Sequence, residues 1–150
     1  MKFVCDAMLH KLCVWLRMAG HECIYVNSRE GDEVIKTALK NEAVLLTRDE
    51  DLAQKAASYC RAQLIHSHGY LGQLKEVVCG NKIKLKFSER FCTVCGSKLS
   101  RVAKKSVRGK VWPFTYKTHT RFFQCAQCKH IFWRGSHWKK IKTQLASITA

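Results

Sequence analysis

The chain has 150 residues, of which 47% are apolar, and a formal net charge of +16. It contains no apolar run of the ~20 residues that a transmembrane span needs and no signal-peptide pattern at its start, so we expect a cytoplasmic location. Residues 1–80 hold ten acidic and ten basic residues, whereas residues 81–150 hold seventeen basic residues and a single acid, Glu89. Charge confined to one half favours a nucleic acid over a membrane surface as the partner.

Strands and helices are predicted to alternate along the first 80 residues. The periodicity of apolar side chains predicts strands at residues 2–5, 22–26, 43–47 and 62–65, and helices at 7–19, 32–41, 52–60 and 70–78. Gly20 is expected to end the first helix, and Asp32 to cap the second. The alternation predicts an α/β fold with a parallel sheet and right-handed crossovers. Residues 82–87 predict a further strand, and residues 139–150 either a short helix or a frayed tail.

Four aspartates follow strands or begin helices in this scheme: Asp6, Asp32, Asp49 and Asp51. The strand-to-helix connections of a parallel sheet meet at one edge, where ligands bind. We expect Asp6 and Asp49 to be the central ligands of one or two Mg²⁺ or Mn²⁺ ions that serve phosphodiester hydrolysis. Asp32 and Asp51 would complete the site directly or through water. Helix capping is the alternative for each of them, since Asp32 and Asp51 both suit an N-cap position.

Two Cys-x-x-Cys pairs lie in the basic half, 29 residues apart: Cys92 with Cys95, and Cys125 with Cys128. Two such pairs form a tetrahedral four-thiolate site, so we expect a structural Zn²⁺ in a β-ribbon. Five further cysteines are scattered through apolar segments: Cys5, Cys13, Cys23, Cys60 and Cys79. Because the total is odd and no signal peptide precedes them, we interpret these five as buried or half-buried thiols in a reducing compartment.

Basic and aromatic residues alternate between the two cysteine pairs. Cations can follow phosphates while aromatic rings stack on bases, which makes six residues candidates for contact with structured or single-stranded RNA: Lys104, Lys105, Arg108, Lys110, Trp112 and Tyr116. The alternative is that the aromatic residues form the small core of the ribbon. We favour that alternative for Phe122, Phe123, Phe132 and Trp133, which lie next to the cysteines.

Three sequence blocks together resemble a known family. They are FVCDAMLHKLCVWLRMAG at residues 3–20, LLTRD with Leu52 at residues 45–52, and IFWRGSHW at residues 131–138 after the cysteine pairs. This pattern is similar to the Mut-seven C-terminal RNase family, a branch of the PIN-like nucleases. The chain departs from the family pattern at His10 and Cys13, where small residues are usual.

The resemblance implies a PIN-like three-layer parallel sheet over residues 1–88 and a zinc ribbon over residues 89–150. It also implies Mg²⁺- or Mn²⁺-dependent ribonuclease activity that leaves a 5′-phosphate and a 3′-hydroxyl. The family's acids correspond to Asp6, Asp32, Asp49 and Asp51. Arg17 and Arg48 lie in the matching blocks and are expected to contact phosphate, with salt bridges to neighbouring aspartates as the alternative.

The sequence therefore predicts a metal-dependent ribonuclease whose zinc ribbon binds RNA, such as tRNA. The second hypothesis is a module with the same fold that binds tRNA or rRNA without cleaving it. A third is a nuclease that acts on DNA.

Overall fold

The computed structural model describes residues 1–149, and the side chains of residues 1–148. Ala150, the end of the predicted tail, lies outside this range. A parallel sheet forms from strands β1 (Lys2–Cys5), β2 (Glu22–Tyr25), β3 (Val44–Thr47) and β4 (Ala62–Leu64). The connecting helices are α1 (His10–Met18), α2 (Gly31–Asn41) and α3 (Glu50–Ala56), and α4 (Tyr70–Asn81) follows β4. The predicted α/β fold with a parallel sheet is confirmed.

The strand order is β2-β1-β3-β4, so β1 and β3 are the two central strands. Successive side chains of a strand point to opposite faces of the sheet, and both faces are covered. On one face, Phe3, Cys5 and Leu46 pack against α1 and α4. On the other face, Val4 and Leu45 pack against α2 and α3. Burial on both faces explains why the two central strands are almost continuously apolar.

The second sheet is antiparallel and consists of β5 (Leu99–Val102), β6 (Phe122–Cys125) and β7 (Ile131–Phe132). A 3₁₀ turn and the short helix α5 (Pro113–Thr118) occupy the long connection between β5 and β6. The last element is a helix, α6 (Trp138–Thr149), so the tail is helical as far as it is described. Leu145 of α6 is buried in the same core as α1 and α4. The division into a first domain (residues 1–88) and a ribbon (residues 89–150) stays a prediction, and α6 at the end of the chain packs on residues of the first domain.

Two local predictions are wrong. Residues 82–87 form no strand; Leu85 is buried and Phe87 packs against the core of the first domain, which accounts for their alternating pattern.

Asp32 does not cap α2, because the helix begins at Gly31 after Glu30. Helix α3 is capped by Asp49, whose carboxylate accepts hydrogen bonds from the N–H groups of Asp51 and Leu52. Asp51 therefore lies in the first turn of α3 rather than at its cap.

No helix in the described part of the chain is both long and apolar enough to cross a membrane.

Candidate active site

The carboxyl ends of β1 and β3 form a crevice at the centre of the sheet. The chain leaves β1 towards β2 on one side and leaves β3 towards β4 on the other, so the crevice opens where the strand order reverses. Ligands of open α/β sheets bind at such a point. A cleft of about 210 Å³ lies here, and Asp6 and Asp49 are both in its lining. The topology thus brings together the two aspartates that follow the central strands.

Thr47, the last residue of β3, connects these two aspartates. Its hydroxyl donates a hydrogen bond to Oδ2 of Asp6 and accepts one from the backbone N–H of Asp49, at 3.0 Å. The N–H of Met8 donates to the other oxygen of Asp6, at 3.1 Å. Thr47 is 0% exposed. Thr47 is not among the residues predicted for the site, although its position at the end of an apolar strand was the available signal.

Asp6 is 6% exposed. Burial raises the pKa of its carboxyl group, and the nearby charge of Asp49 raises it further. The hydrogen bonds from Thr47 and Met8 and the charge of Arg48 act in the opposite direction without cancelling the effect. A cation in the cleft would favour the ionised form of Asp6.

Asp49 serves as the cap of α3 and also lines the cleft. Both capping hydrogen bonds reach its Oδ1, at 2.9 Å from Asp51 N and 3.2 Å from Leu52 N. The side chain is exposed. Capping and a position in the cleft are therefore compatible in one residue.

The other two predicted acids lie outside the lining of this cleft. Oδ1 of Asp32 is 2.5 Å from Nζ of Lys55 on α3, and this hydrogen bond and charge lower the pKa of Asp32. Asp51 is exposed on the first turn of α3. Within the described residues, no three acidic side chains bring their ligand oxygens within 4.8 Å of one another. The structure therefore pairs Asp6 with Asp49 and places Asp32 and Asp51 farther out.

Two carboxylates facing one cleft suit a hard divalent cation. Mg²⁺ usually binds proteins through one or two carboxylates and completes its shell with water and substrate phosphate. Asp6 and Asp49 supply that donor set, so the residues present fit Mg²⁺ or Mn²⁺.

Three arginines occupy different positions around this region. Arg29, in the loop after β2, lines the cleft. It is not among the residues predicted for the site, although its polar loop follows a strand at the same edge. Arg48 Nη2 lies 2.8 Å from Nδ1 of His68, and its Nε is buried without a hydrogen-bond partner in the described part of the chain. Both residues supply positive charge near the acids.

Arg17 is structural, contrary to the expectation of a phosphate contact. It is 3% exposed, and its Nε donates to the carbonyl oxygen of Cys23 at 2.9 Å. Its Nη1 donates to the carbonyl oxygen of Thr93 at 3.0 Å, inside the first Cys-x-x-Cys pair. These contacts fasten the ribbon to α1 and β2. The alternative of a salt bridge with a neighbouring aspartate is not observed either.

The four cysteines of the ribbon come together as expected. Sγ of Cys92 lies 3.6 Å from that of Cys128, and Sγ of Cys95 lies 3.3 Å from that of Cys125. All four sulfur atoms lie within 4.8 Å of one another. A tetrahedral Zn²⁺ with Zn–S bonds of ~2.3 Å places its sulfur ligands roughly 3.8 Å apart. The group can therefore hold a metal such as zinc.

The basic and aromatic connection between β5 and β6 lies on the surface. Trp112 is 78% exposed and Phe114, a further aromatic candidate, is 76% exposed. Nζ of Lys104 lies 4.7 Å from the ring centre of Tyr116. Lys105, Arg108 and Lys110 are exposed. Phe122, by contrast, is fully buried in the ribbon.

The family model described as the Mut7-C RNAse domain matches residues 1–145 of the chain. The chain belongs to this family. Membership indicates a nuclease or RNA-related role and implies an RNA substrate. The comparisons with curated proteins and with solved structures give no match.

Proposed function

We propose that the protein is a Mg²⁺- or Mn²⁺-dependent ribonuclease with a PIN-like three-layer domain and an RNA-binding zinc ribbon. The observation that carries this proposal is the hydrogen-bonded group Asp6–Thr47–Asp49 at the reversal point of the sheet, in a chain of an RNase family. A divalent ion bound there helps to produce hydroxide and stabilises the leaving oxygen.

The residues of the chain have distinct tasks in this proposal. Asp6 and Asp49 hold the ion, and Thr47 keeps the Asp6 carboxylate oriented. Arg29 and Arg48 supply the positive charge that binds the phosphate of RNA. The oxygen of water forms a bond to phosphorus while the bond to the 3′ oxygen breaks, which leaves a 5′-phosphate and a 3′-hydroxyl.

The outer acids and the ribbon assist. Asp32 and Asp51 act through water at the border of the site. Lys104, Lys105, Arg108 and Lys110 bind phosphates, and Trp112 and Tyr116 stack on bases. The four-cysteine group holds a structural Zn²⁺ that keeps this surface folded.

A non-catalytic RNA-binding module is the second candidate. The observation that favours it is the small number of acids in the cleft, since Asp32 is paired with Lys55 and lies outside the lining. In that case the basic surface would bind tRNA or rRNA, and the cleft would hold a cation without turnover.

Cleavage of RNA in the presence of Mn²⁺ distinguishes the two functions. We expect Asp6→Asn and Asp49→Asn each to lower the cleavage rate by ~100-fold or more, because several kcal/mol of transition-state stabilisation depend on the ion. Asp32→Asn should cost less than ~10-fold. The matched control is Glu22→Gln, an acid at the opposite edge of the sheet beside Lys2. Equal rates for the wild type and both cleft variants would refute the nuclease, and RNA binding without cleavage by any of them would establish the module.

A further inference from the structure

A second cysteine cluster lies inside the first domain. Cys5 on β1, Cys13 on α1 and Cys23 on β2 are all buried. Their sulfur atoms lie within 4.8 Å of one another, and those of Cys5 and Cys23 are 3.5 Å apart. The spacing matches the 3.3 and 3.6 Å pairs of the ribbon cysteines. Three possible thiolate ligands thus surround one point in the core.

Arg17 places a positive charge beside this cluster. Its guanidinium is buried and hydrogen-bonds to the carbonyl oxygen of Cys23, and it forms no ion pair with a carboxylate among residues 1–148. A buried charge is costly unless an opposite charge accompanies it. Because no carboxylate pairs with Arg17 among residues 1–148, thiolates that bind a metal ion are the counter-charge that this cluster can supply.

We propose that Cys5, Cys13 and Cys23 form a second metal site, for a thiophilic divalent ion such as Zn²⁺. A planar three-thiolate site with bonds of ~2.3 Å places its sulfur atoms roughly 4.0 Å apart, which the cluster can reach with small side-chain adjustments. Each thiol that binds releases its remaining proton to solvent. Three thiolates and a divalent ion carry one negative charge, which the guanidinium of Arg17 neutralises, whereas a monovalent ion would leave an uncompensated charge.

The bound ion would join three elements, β1, α1 and β2. Cys5 immediately precedes Asp6, so the ion would hold the end of β1 against β2 and α1. Arg17 also bonds to Thr93, which connects this site to the ribbon. Because the three thiols are buried, the ion must enter while the domain folds or opens locally. Its role is structural, and it adds stability rather than chemistry.

Metal stoichiometry tests this site. The full chain is refolded anaerobically under reducing conditions with Cd²⁺ as the probe, and bound Cd²⁺ is measured after desalting, together with the sulfur-to-cadmium absorption band. We expect about two Cd²⁺ per wild-type chain, one at each cysteine cluster. Cys13→Ala should bind about one, and so should the double variant Cys92→Ser/Cys95→Ser, whose ribbon site keeps only two cysteines. Cys60→Ala, outside both clusters, should match the wild type.

A wild-type stoichiometry of about one, unchanged in Cys13→Ala, would show that the three thiols are only core residues. The double variant Cys92→Ser/Cys95→Ser approaches the question independently. With only two ribbon cysteines left, its remaining ion must be held by the buried cluster even if Cys13→Ala folds poorly. Retention of no ion by this double variant would overturn the site. The measurement uses no RNA, so its outcome is separate from that of the cleavage experiment.

Discussion

Asp6 is a buried acid whose ionised form would be more stable with a cation bound in the cleft than without one. Two hydrogen bonds hold its carboxylate, from Thr47 and from the N–H of Met8, yet burial still raises its pKa. Arg48 is close enough to favour the charged form but does not dominate. A carboxylate with a raised pKa in a cleft is a common property of functional sites. Thr47 explains how the side chain stays oriented without a salt bridge.

The raised pKa predicts that Asp6→Asn stabilises the protein in the absence of added Mg²⁺ or Mn²⁺. An acid with a raised pKa in the folded state costs stability as the pH rises from its ordinary value of 3.8 through the folded value. Asparagine removes the charge and keeps an oxygen acceptor for Met8. We expect the unfolding temperature at pH 7 to rise by roughly 2–4 °C, the shift that about 1 kcal/mol produces in a chain of this size.

Thermal unfolding at several pH values checks this expectation, with Glu22→Gln as a control that should show no such gain. The higher unfolding temperature of Asp6→Asn should disappear below pH ~3.8, where the side chain at position 6 is uncharged in the wild type as well as in the variant. Added Mn²⁺ should raise the unfolding temperature of the wild type more than that of the variant. A lower unfolding temperature for Asp6→Asn at pH 7 would contradict the conclusion that burial disfavours the ionised form of Asp6.

Part of the candidate site could be predicted from residue order alone. Asp6 and Asp49 follow the two central strands, and the geometry of parallel sheets places such residues at one edge. The hydroxyl bridge of Thr47 depends on the register of β1 against β3, and the place of Arg29 depends on its loop; neither is encoded in local periodicity. Arg17 was misassigned because its sequence block does not reveal that its side chain turns towards the ribbon.

At the scale of elements, Glu76 on α4 holds the loop that follows β4. Its carboxylate accepts hydrogen bonds from the backbone N–H groups of His66, at 2.9 Å, and Ser67, at 2.6 Å. Partial burial opposes its ionisation, but the hydrogen bonds from Ser67 and His66 outweigh it and lower the pKa to about 2. The same loop carries His68, which contacts Arg48. Glu76 therefore helps to position the loop that contacts Arg48, one of the arginines near the acids.

We predict that Glu76→Gln lowers the free energy of unfolding at pH 7 by about 1–2 kcal/mol, because charge-assisted hydrogen bonds become neutral ones. A depressed pKa stabilises the fold above the ordinary value of 4.5, and this contribution is lost as the pH falls towards about 2. The difference between the two proteins should therefore narrow across that interval. Denaturant unfolding measures this difference in the free energy of unfolding, and the amide of Ser67 should exchange faster in Glu76→Gln than in the wild type. An equal stability of both proteins at pH 7 would show that the loop does not depend on this carboxylate.

Periodicity predicted the regular elements of the first domain well and the irregular ones poorly. Each helix of this domain buries one face against the sheet, so the 3–4 spacing of its apolar residues was informative. Residues 82–87 alternate because Leu85 and its neighbours pack on the core, and alternation alone cannot distinguish that from strand pairing. Helix α5 was not predicted, since none of its residues is buried and its apolar pattern is correspondingly weak.

At the scale of the whole molecule, the ribbon is attached to the first domain at both of its ends. Arg17 binds the first cysteine pair, and α6 returns to pack beside α4. Zinc bound by four thiolates would lower the formal charge of residues 81–150 from +16 to about +14, which leaves the ribbon strongly cationic. A cationic surface is thus connected to the part of the chain that carries the acidic cleft, and in the proposed function a bound cation would reduce the repulsion between those acids and RNA.

The ionic-strength dependence of RNA binding tests whether the cationic surface of the ribbon binds the RNA. Each Lys or Arg that neutralises a phosphate contributes ~0.7 to the slope of log affinity against log salt for a single strand. The triple variant of Lys105, Arg108 and Lys110 to Gln should therefore have a slope shallower by roughly 2. Trp112→Ala should weaken binding by ~1–3 kcal/mol through lost stacking while it leaves the slope unchanged. A triple variant that keeps the wild-type slope would show that these cations contact no phosphate, and the RNA surface would then lie elsewhere on the ribbon.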